Sequence, residues 1–372
     1  MKQSLFNTVL VALLVTSAAV AQTKSIYKKS FDTSSDEKFE FQATNVAVTF
    51  ETSPDDQIHI DFSLEFENYS EKEIEEIIPR IRTSVSILDG FTRFQVSSDK
   101  KFSKEQYILN TDEDMVLEYD DLNFVSRKKQ FYKSHDSVVN EIQKKSESFL
   151  DKVKVKGKDG KRKSLSKSKI RVMRSYFIVK IPQHVYTRVK GMDTQVFIPN
   201  DFTQRMDISL IKGLFKAKKI ANEQAYLSFD DMASVQIESV QVKNLSMRDI
   251  TKGLIGSIDQ TTCAFKGSRV ELGFVGKDID IRDFSSKIYL YNFDPKFEKL
   301  NLKGDYTELY LFDYGEHIEL RAEGGDITLN MKEGDESSQF KADMMRKRAK
   351  DPIFGQVLAN LKNGILHVIT NK

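Results

Sequence analysis

The sequence has one cysteine, no tryptophan and only six prolines in 372 residues. Cys263 alone cannot close an internal disulfide, so no covalent staple is expected. It sits between Thr262 and Ala264, ahead of Phe265, and reads as a buried structural thiol rather than a nucleophile. An excess of charge is also missing. The 57 basic and 55 acidic residues give a formal net charge of +2, which supplies no general drive toward nucleic acid or an anionic membrane. Beyond Ala21, no apolar run approaches the length of a membrane-spanning helix. The chain has no Gly-x-Ser-x-Gly elbow, no phosphate-binding glycine loop and no His-Glu-x-x-His. Its five histidines, His59, His135, His184, His317 and His367, are isolated, and none has metal-ligand spacing. The expectation is a non-enzyme with no cofactor and no metal.

What is present favours strands: 26 Phe and 13 Tyr, with β-branched residues between them. Apolar-x-apolar pairs recur at Val235/Ile237, Leu245/Met247, Val270/Leu272, Ile279/Ile281, Ile288/Leu290, Leu300/Leu302, Leu309/Leu311, Ile318/Leu320 and Ile327/Leu329. From Val270 their starts are 9, 9, 12, 9, 9 and 9 residues apart. Each pair places two apolar side chains on one face of a short strand, and a fixed period over this length signals stacked repeats. Gly276, Asp283, Asn292, Asp294, Gly304, Asp313, Gly315, Gly324 and Gly325 lie between pairs and are the expected corners. The residues inside the pairs, Glu271, Asp280, Tyr289, Asn301, Tyr310, Glu319 and Thr328, should face out. A sandwich of short strands is the competing reading, and a calcium-binding β-roll is excluded because its Gly-Gly-x-Gly-x-Asp repeats are absent.

The start of the chain reads as a secretory signal peptide over residues 1–21: Lys2, an apolar run from Leu5 to Ala18, and Ala19-Val20-Ala21 as the cleavage site. An N-terminal β-rich domain follows over 22–135. Phe39, Phe41, Val46, Val48 and Phe50, then Ile58, Ile60, Phe62, Leu64 and Phe66, alternate as half-buried strands around a Ser53-Pro54-Asp55-Asp56 turn. Ser70-Glu71-Lys72-Glu73 is a capping box for a helix carrying Ile74, Ile77, Ile78 and Ile81, which Pro79 should shorten. Residues 98–135 carry no clear pattern. Residues 136–174 hold a helix from Ser137, with Val138, Val139, Ile142 and Phe149 on one side, and a basic run from Lys152 to Arg174. That run is either an electrostatic patch for anionic partners, centred on Lys158, Lys161, Arg162 and Lys163, or a solvated mobile insertion. No aromatic residue interleaves it, so no nucleic-acid partner is expected.

Tyr176-Phe177-Ile178-Val179-Lys180-Ile181-Pro182 is a strand ended by proline. Val196-Phe197-Ile198-Pro199-Asn200-Asp201-Phe202 and Met206-Asp207-Ile208-Ser209-Leu210, with Gly213-Leu214-Phe215-Lys216-Ala217 shortly after, come next and lead into the repeats. This order resembles the adhesin-like family of exported bacterial domains of unknown function (DUF4097-like), over roughly residues 30–330. Family members usually carry Gly-Asp before such strands, whereas here Thr194-Gln195 precedes Val196 and Asn45 precedes Val46. The resemblance implies a right-handed parallel β-helix, or β-solenoid, and brings no catalytic residues with it.

The expectation is therefore a mainly β protein. It comprises a small N-terminal strand–helix–strand domain, a β-solenoid over 175–334, and a C-terminal helical cap with a final strand over 335–372. The cap rests on Phe340, Met344, Met345 and Arg348, then Ile353, Val357, Leu358 and Leu361. Three surface features are candidates for binding. Tyr289, Tyr291 and Tyr310 form an aromatic ladder if they fall on successive coils, either stacking on sugars or a partner or packing across strands. Asp278 and Asp280, with Arg282 and Asp283 nearby, would be the groove of a polysaccharide-active enzyme or a solvated face. The 12-residue step containing Pro295 should protrude. The function expected is an exported adhesin-like protein of the envelope or surface, with an envelope protein or glycan as partner. A periplasmic accessory or sensor protein is the alternative, and a polysaccharide-active enzyme a lesser one.

Overall fold

A computed structural model describes residues 21–110, 116–120, 135–143, 154–156, 162–164, 170–312, 317–330, 344–348 and 355–369. All of the expected leader except Ala21 lies outside these residues. The described chain is mainly β. It begins with β1 (Gln22–Asp32), β2 (Lys38–Thr52) and β3 (Gln57–Glu67). Strict alternation in β3 sends Ile58, Ile60, Phe62, Leu64 and Phe66 into the core and leaves the residues between them partly exposed. Helix α1 (Glu71–Ile77) starts at the expected capping box: Glu73 N donates to Ser70 Oγ, and Ser70 N donates back to the Glu73 carboxylate. Pro79 ends it within a single 3₁₀ turn, Ile78–Arg80. Ile81 therefore starts strand β4 (Ile81–Leu88) and is not part of the helix, a correction that follows from proline's missing donor. β4 and β5 (Phe91–Phe102) form a hairpin around Gly90 at φ +63°.

The unpatterned stretch contains β6 (Glu105–Asn110) and β7 (Val116–Asp120), an antiparallel pair. Helix α2 (His135–Gln143) buries Val138 and Ile142. β8 (Lys154–Lys156) and β9 (Arg162–Ser164) form a separate small hairpin. β10 (Ile170–Ile181) pairs with β2, β3 and β6, joining the first part of the chain to the rest. This corrects the expectation of a loop reaching Arg174, because Arg171 and Arg174 are strand residues. Arg171 binds Glu73, and Arg174 reaches Glu65 at 2.6 Å, Glu105 at 2.9 Å and Glu67 at 3.3 Å. Salt bridges to carboxylates on two neighbouring strands draw this end of the basic run into the sheet.

β11 (Tyr186–Phe202) runs parallel to β2, and β12 (Met206–Asp230) parallel to β11. Both are longer than expected because each turns a corner without breaking its ladder. The corner residues Asn45, Asp193 and Lys212 lie side by side with φ of 61°, 50° and 61°. Gly213 follows at φ +101°, where a Cβ would lie 2.1 Å from the Thr194 carbonyl oxygen, so only glycine fits.

From β13 (Ser234–Arg248) the chain winds into two parallel ladders. One runs through β14 (Gly253–Ile258), β16 (Arg269–Val275), β18 (Lys287–Phe293) and β20 (Glu308–Phe312). The other runs through β15 (Thr261–Lys266), β17 (Asp278–Phe284) and β19 (Lys299–Asp305). Leu245, Cys263 and Ile281, evenly spaced in the sequence, are register partners. The inward residues are fully buried, Val270, Leu272, Ile288, Leu290, Leu309 and Leu311 among them. Parallel stacking of successive coils excludes the sandwich of antiparallel strands.

The expected corners are found in part: Gly276 and Asp294 lie between strands, and Gly324 and Gly325 separate residues 318–323 from 326–330, with Gly324 at φ +88°. Asn292 and Gly304 instead lie within strands, and Asp313 and Gly315 lie outside the described residues. Asp231, Asp249, Gly267, Ser285, Tyr306 and Asn363 form one column, all with φ between 49° and 62°. A left-handed residue costs only about 1–2 kcal/mol, so polar residues occupy most of this column and glycine does not mark it. Asp283, expected at a corner, instead points inward and is buried.

The C-terminal helices are a further correction. After β21 (Ile318–Glu323) and β22 (Asp326–Asn330) come three strands, β23 (Met344–Lys347), β24 (Gly355–Lys362) and β25 (Ile365–Ile369). Val357 and Leu361, four apart, share a face in either a helix or a strand. Ala359 decides between them: it is buried along with Val357 and Leu361, while Leu358 is not, which is a period of two. Phe340 and Ile353 lie outside the described residues. β24 pairs with both β19 and β21, and β25 with both β20 and β22. The last coil in sequence thus lies between two earlier ones. β23 runs antiparallel along the outer edge of β21. Among the described residues, 23 strands make one continuous, unclosed sheet.

Candidate functional site

Tyr289 and Tyr310 do fall on successive coils and stack with centroids 4.5 Å apart and planes 9° apart. His367 continues the column at 4.3 Å from Tyr310, and the Arg269 guanidinium lies 4.9 Å over Tyr289 at the other end. Tyr291 stacks on Phe312 at 4.8 Å. Of the two readings of the ladder, packing across strands fits this arrangement and the exposed platform does not. Tyr289 and Tyr291 are only 2% and 1% exposed. Both faces of Tyr289 and of Tyr310 are covered by neighbours in the column, and a sugar stacks on a ring face rather than its edge. Helix α2 packs Val138 and Ile142 against Leu254, Tyr289 and Tyr291 on this flank. Lys252–Glu141, at 2.8 Å, pins the helix there.

Beneath it lies a buried polar group. Glu271 is 2% exposed, accepts a hydrogen bond from Tyr291 Oη at 2.9 Å and pairs with Arg269 at 2.8 Å. Burial pushes its carboxyl up, opposed by the Arg269 charge and by both hydrogen bonds. Burial likewise raises the phenols of Tyr289, Tyr291 and Tyr310 and lowers the His367 imidazole. These groups form a satisfied interior network that holds the coils together.

The acidic candidates of β17 do not converge on a groove. Lys158 and Lys161 lie outside the described residues, and Arg162 and Lys163 are in β9. Asp278, Asp280 and Arg282 are exposed along β17, and no group of three or more metal-ligating side chains occurs among the described residues. Cys263 is fully buried and its thiol is pushed up by burial. At the 12-residue step, Pro295 and Lys296 are exposed, but Phe297 turns inward onto Phe293 at 4.8 Å. An exposed aromatic pair is Phe284 and Tyr306, 47% and 58% exposed, with ring centroids 6.0 Å apart at the corner column.

An open polar surface lies on the outer face of β4, β5, β2, β11 and β12. Side chains at alternate positions form rows across these strands. Ser84, Gln95, Gln42, Lys190 and Ser209 are successive register partners. Ser84 Oγ donates to Gln95, Gln95 Nε2 to Gln42 at 2.5 Å, and Gln42 Nε2 to Glu40 at 2.6 Å. Glu40, whose side chain is only 6% exposed, gathers Arg93 at 2.8 Å, Lys190 at 3.1 Å and Arg188 at 3.8 Å. Hydrogen bonds from Lys190 and Gln42 and the charges of Lys190 and Arg93 outweigh burial and hold its carboxyl below the usual range. Asp207 is the next register partner beyond Arg188, so three cations face two carboxylates and a small positive excess remains on the row. Beside it, Arg82, Thr44, Ser97, Met192 and Ile211 complete an open concavity of about 570 Å³.

Sequence reasoning missed this face. Its residues read as the solvent side of ordinary strands, and nothing local places Gln42 beside Lys190, which lies far along the chain. Amides and hydroxyls clustered on outward positions in a chain rich in charge were the available signal.

No family model matches the chain, and no curated protein matches it. Among solved structures, a "putative cell adhesion protein" from Clostridium sporogenes aligns with 95% of this chain and 100% of its own, at 9% identity and a TM-score of 0.21. At that score the two backbones do not superpose as one fold, and the likeness carries no argument about structure or role.

Proposed function

We propose that this chain is an exported, non-enzymatic protein with an adhesin-like binding or structural role at the cell envelope or surface. The observation that carries the reading is the polar face across β4, β5, β2, β11 and β12. It is broad, open and positive, and its amides and hydroxyls are already ordered by one another. Such a face suits an extended polar partner, a glycan or an envelope protein, held by many shallow contacts rather than enclosed. The signal-peptide pattern of residues 1–21 supports export. Right-handed winding and membership of the DUF4097-like family rest on the sequence motifs quoted above.

The test is binding of the purified chain to isolated bacterial envelope fractions and immobilised polysaccharides. Two variants report on the face: Gln42→Ala with Gln95→Ala, and Arg82→Glu with Lys190→Glu. Charge reversal at a contact face should weaken binding about tenfold, while the amide variant should stay folded and lose only about 1 kcal/mol of stability with its hydrogen bonds. Binding that is equal in both variants and the parent, or no binding to any fraction, overturns the reading.

A further inference from the structure

The position of the last coil conflicts with the sequence spacing. Ile318 follows Leu300, and Ile327 follows Leu309, at one and the same interval. That interval is also the step from Leu245 to Cys263 and from Cys263 to Ile281, which are stacked register partners. The sequence thus writes residues 318–330 as the coil that stacks directly on residues 299–312. The structure seats residues 355–369 there instead. Leu300, Val357 and Leu320 are successive partners on one ladder, and Leu309, Leu366 and Ile327 on the other.

We propose that coil 318–330 has two seats and that coil 355–369 is a removable wedge between them. In the seat observed, Leu300 lines up with Leu320 through Val357. In the inner seat, Leu300 would meet Ile318 and Leu302 would meet Leu320. On the β19 ladder the two registers differ by one apolar-x step, and a slip of that size in a strand keeps the same side chains facing the core, while on the β20 ladder Leu309 lines up with Ile327 in both seats. Ile318, Leu320 and Ala322, all fully buried here, therefore stay inward in both. Each seat satisfies the exposed ladder of β19 and β20 with parallel partners, so withdrawal of the wedge leaves no orphaned edge there. The wedge is the movable part because β21 is also held along its outer edge by β23, while the strands on either side of the wedge can pair with each other once it leaves. Once out, it presents two strand edges and the apolar side chains of Val357, Ala359, Leu361, Leu366 and Val368. The molecule is thereby a switch between a longer stack and a shorter one with a free strand pair.

Disulfide trapping in the full chain tests this, with buried Cys263 left in place. Asn301→Cys with Leu358→Cys joins register partners of the observed seat and should close almost completely. Asn301→Cys with Glu319→Cys joins partners of the inner seat only. In the observed seat, β24 separates those positions by two strand spacings, about 10 Å, beyond disulfide reach. Asn301→Cys with Arg321→Cys is the control, because an unfolded chain would close it as readily as the Glu319 pair. The Glu319 pair should close within single chains in a minor fraction, while the control stays open. Leu366→Asp, which burdens only the wedge, should raise that fraction roughly tenfold. If the Glu319 pair stays open with and without Leu366→Asp, or closes no more than the control, the two-seat proposal is wrong.

Discussion

Tyr289 and Tyr310 stack face to face across neighbouring coils, and the Tyr310 hydroxyl donates to Glu308 at 2.8 Å. Because their faces are turned on each other, their contribution is to stability. Tyr310→Ala should lower stability by about 2–3 kcal/mol, less than for a fully buried aromatic. Tyr310→Phe keeps the stack and loses only the hydrogen bond, about 1 kcal/mol. Denaturant unfolding followed by circular dichroism separates the two. Equal losses for both variants would mean that the hydroxyl, not the stack, matters.

Gly213 and Gly90 both adopt positive φ, but only Gly213 faces backbone within contact distance. Gly90→Ala meets no atom within 4 Å and should cost about 1 kcal/mol, the strain of the dihedral alone. Gly213→Ala must also displace the Thr194 carbonyl and should cost about 3 kcal/mol or more, with loss of soluble yield. A thermal shift assay on both variants decides this, and a Gly213→Ala midpoint as high as that of Gly90→Ala contradicts the close approach.

Asp283 is buried and accepts from Ser286 N at 3.0 Å and from Thr307 Oγ1. Burial raises its carboxyl above the ordinary 3.8, partly offset by those hydrogen bonds. The folded state therefore holds the proton more tightly than the unfolded state, so stability falls as pH rises from 3.8 through the raised value. Glu271 acts in the same sense from 4.5 upward. His367 acts oppositely. Its imidazole is lowered from 6.5, so the unfolded state takes up the proton first and stability falls as pH drops below 6.5. Asp283→Asn should remove its share of the dependence, so that the parent loses ground to the variant as pH rises above about 4. Unfolding midpoints from roughly pH 3 to 8 measure this, and a difference constant across the range rules the assignment out.

Arg174 bridges Glu65 and Glu67 on β3 and Glu105 on β6. Arg174→Ala should cost about 1–2 kcal/mol, because one cation serves three carboxylates that would then repel. Added salt screens the bridge in the parent and the repulsion in the variant, so the gap between them should narrow between about 0.05 and 1 M salt. A gap unaffected by salt would assign the loss to packing of the arginine stem.

Local patterns were legible where one residue determines one outcome. Ser70 and Glu73 announced the start of a helix, Pro79 its end, and the pairs from Val270 to Leu320 the strands and their inward faces. Long-range placement was not legible. The spacing of Val357 and Leu361 fits two periodicities, and only the neighbouring coils select the strand. Tyr289 reads as outward from alternation alone, and it does point away from the coil interior, yet helix α2 packs over that flank. The polar face needed the register of β2 against β11, which no stretch of sequence contains. Asp283 looked like a corner residue because its type suits corners, whereas the corner fell slightly later, at Ser285.

The interior position of residues 355–369 also bears on how the chain assembles when it emerges N-terminus first, whether from a ribosome or from an export channel. Residues 318–330 appear before the segment that separates them from residues 299–312. On the two-seat proposal the direct seat is the one open to them at that moment. If they occupy it, reaching the arrangement described here requires a finished coil to part from its neighbour and admit a latecomer, and the final step of folding is then an insertion rather than an addition.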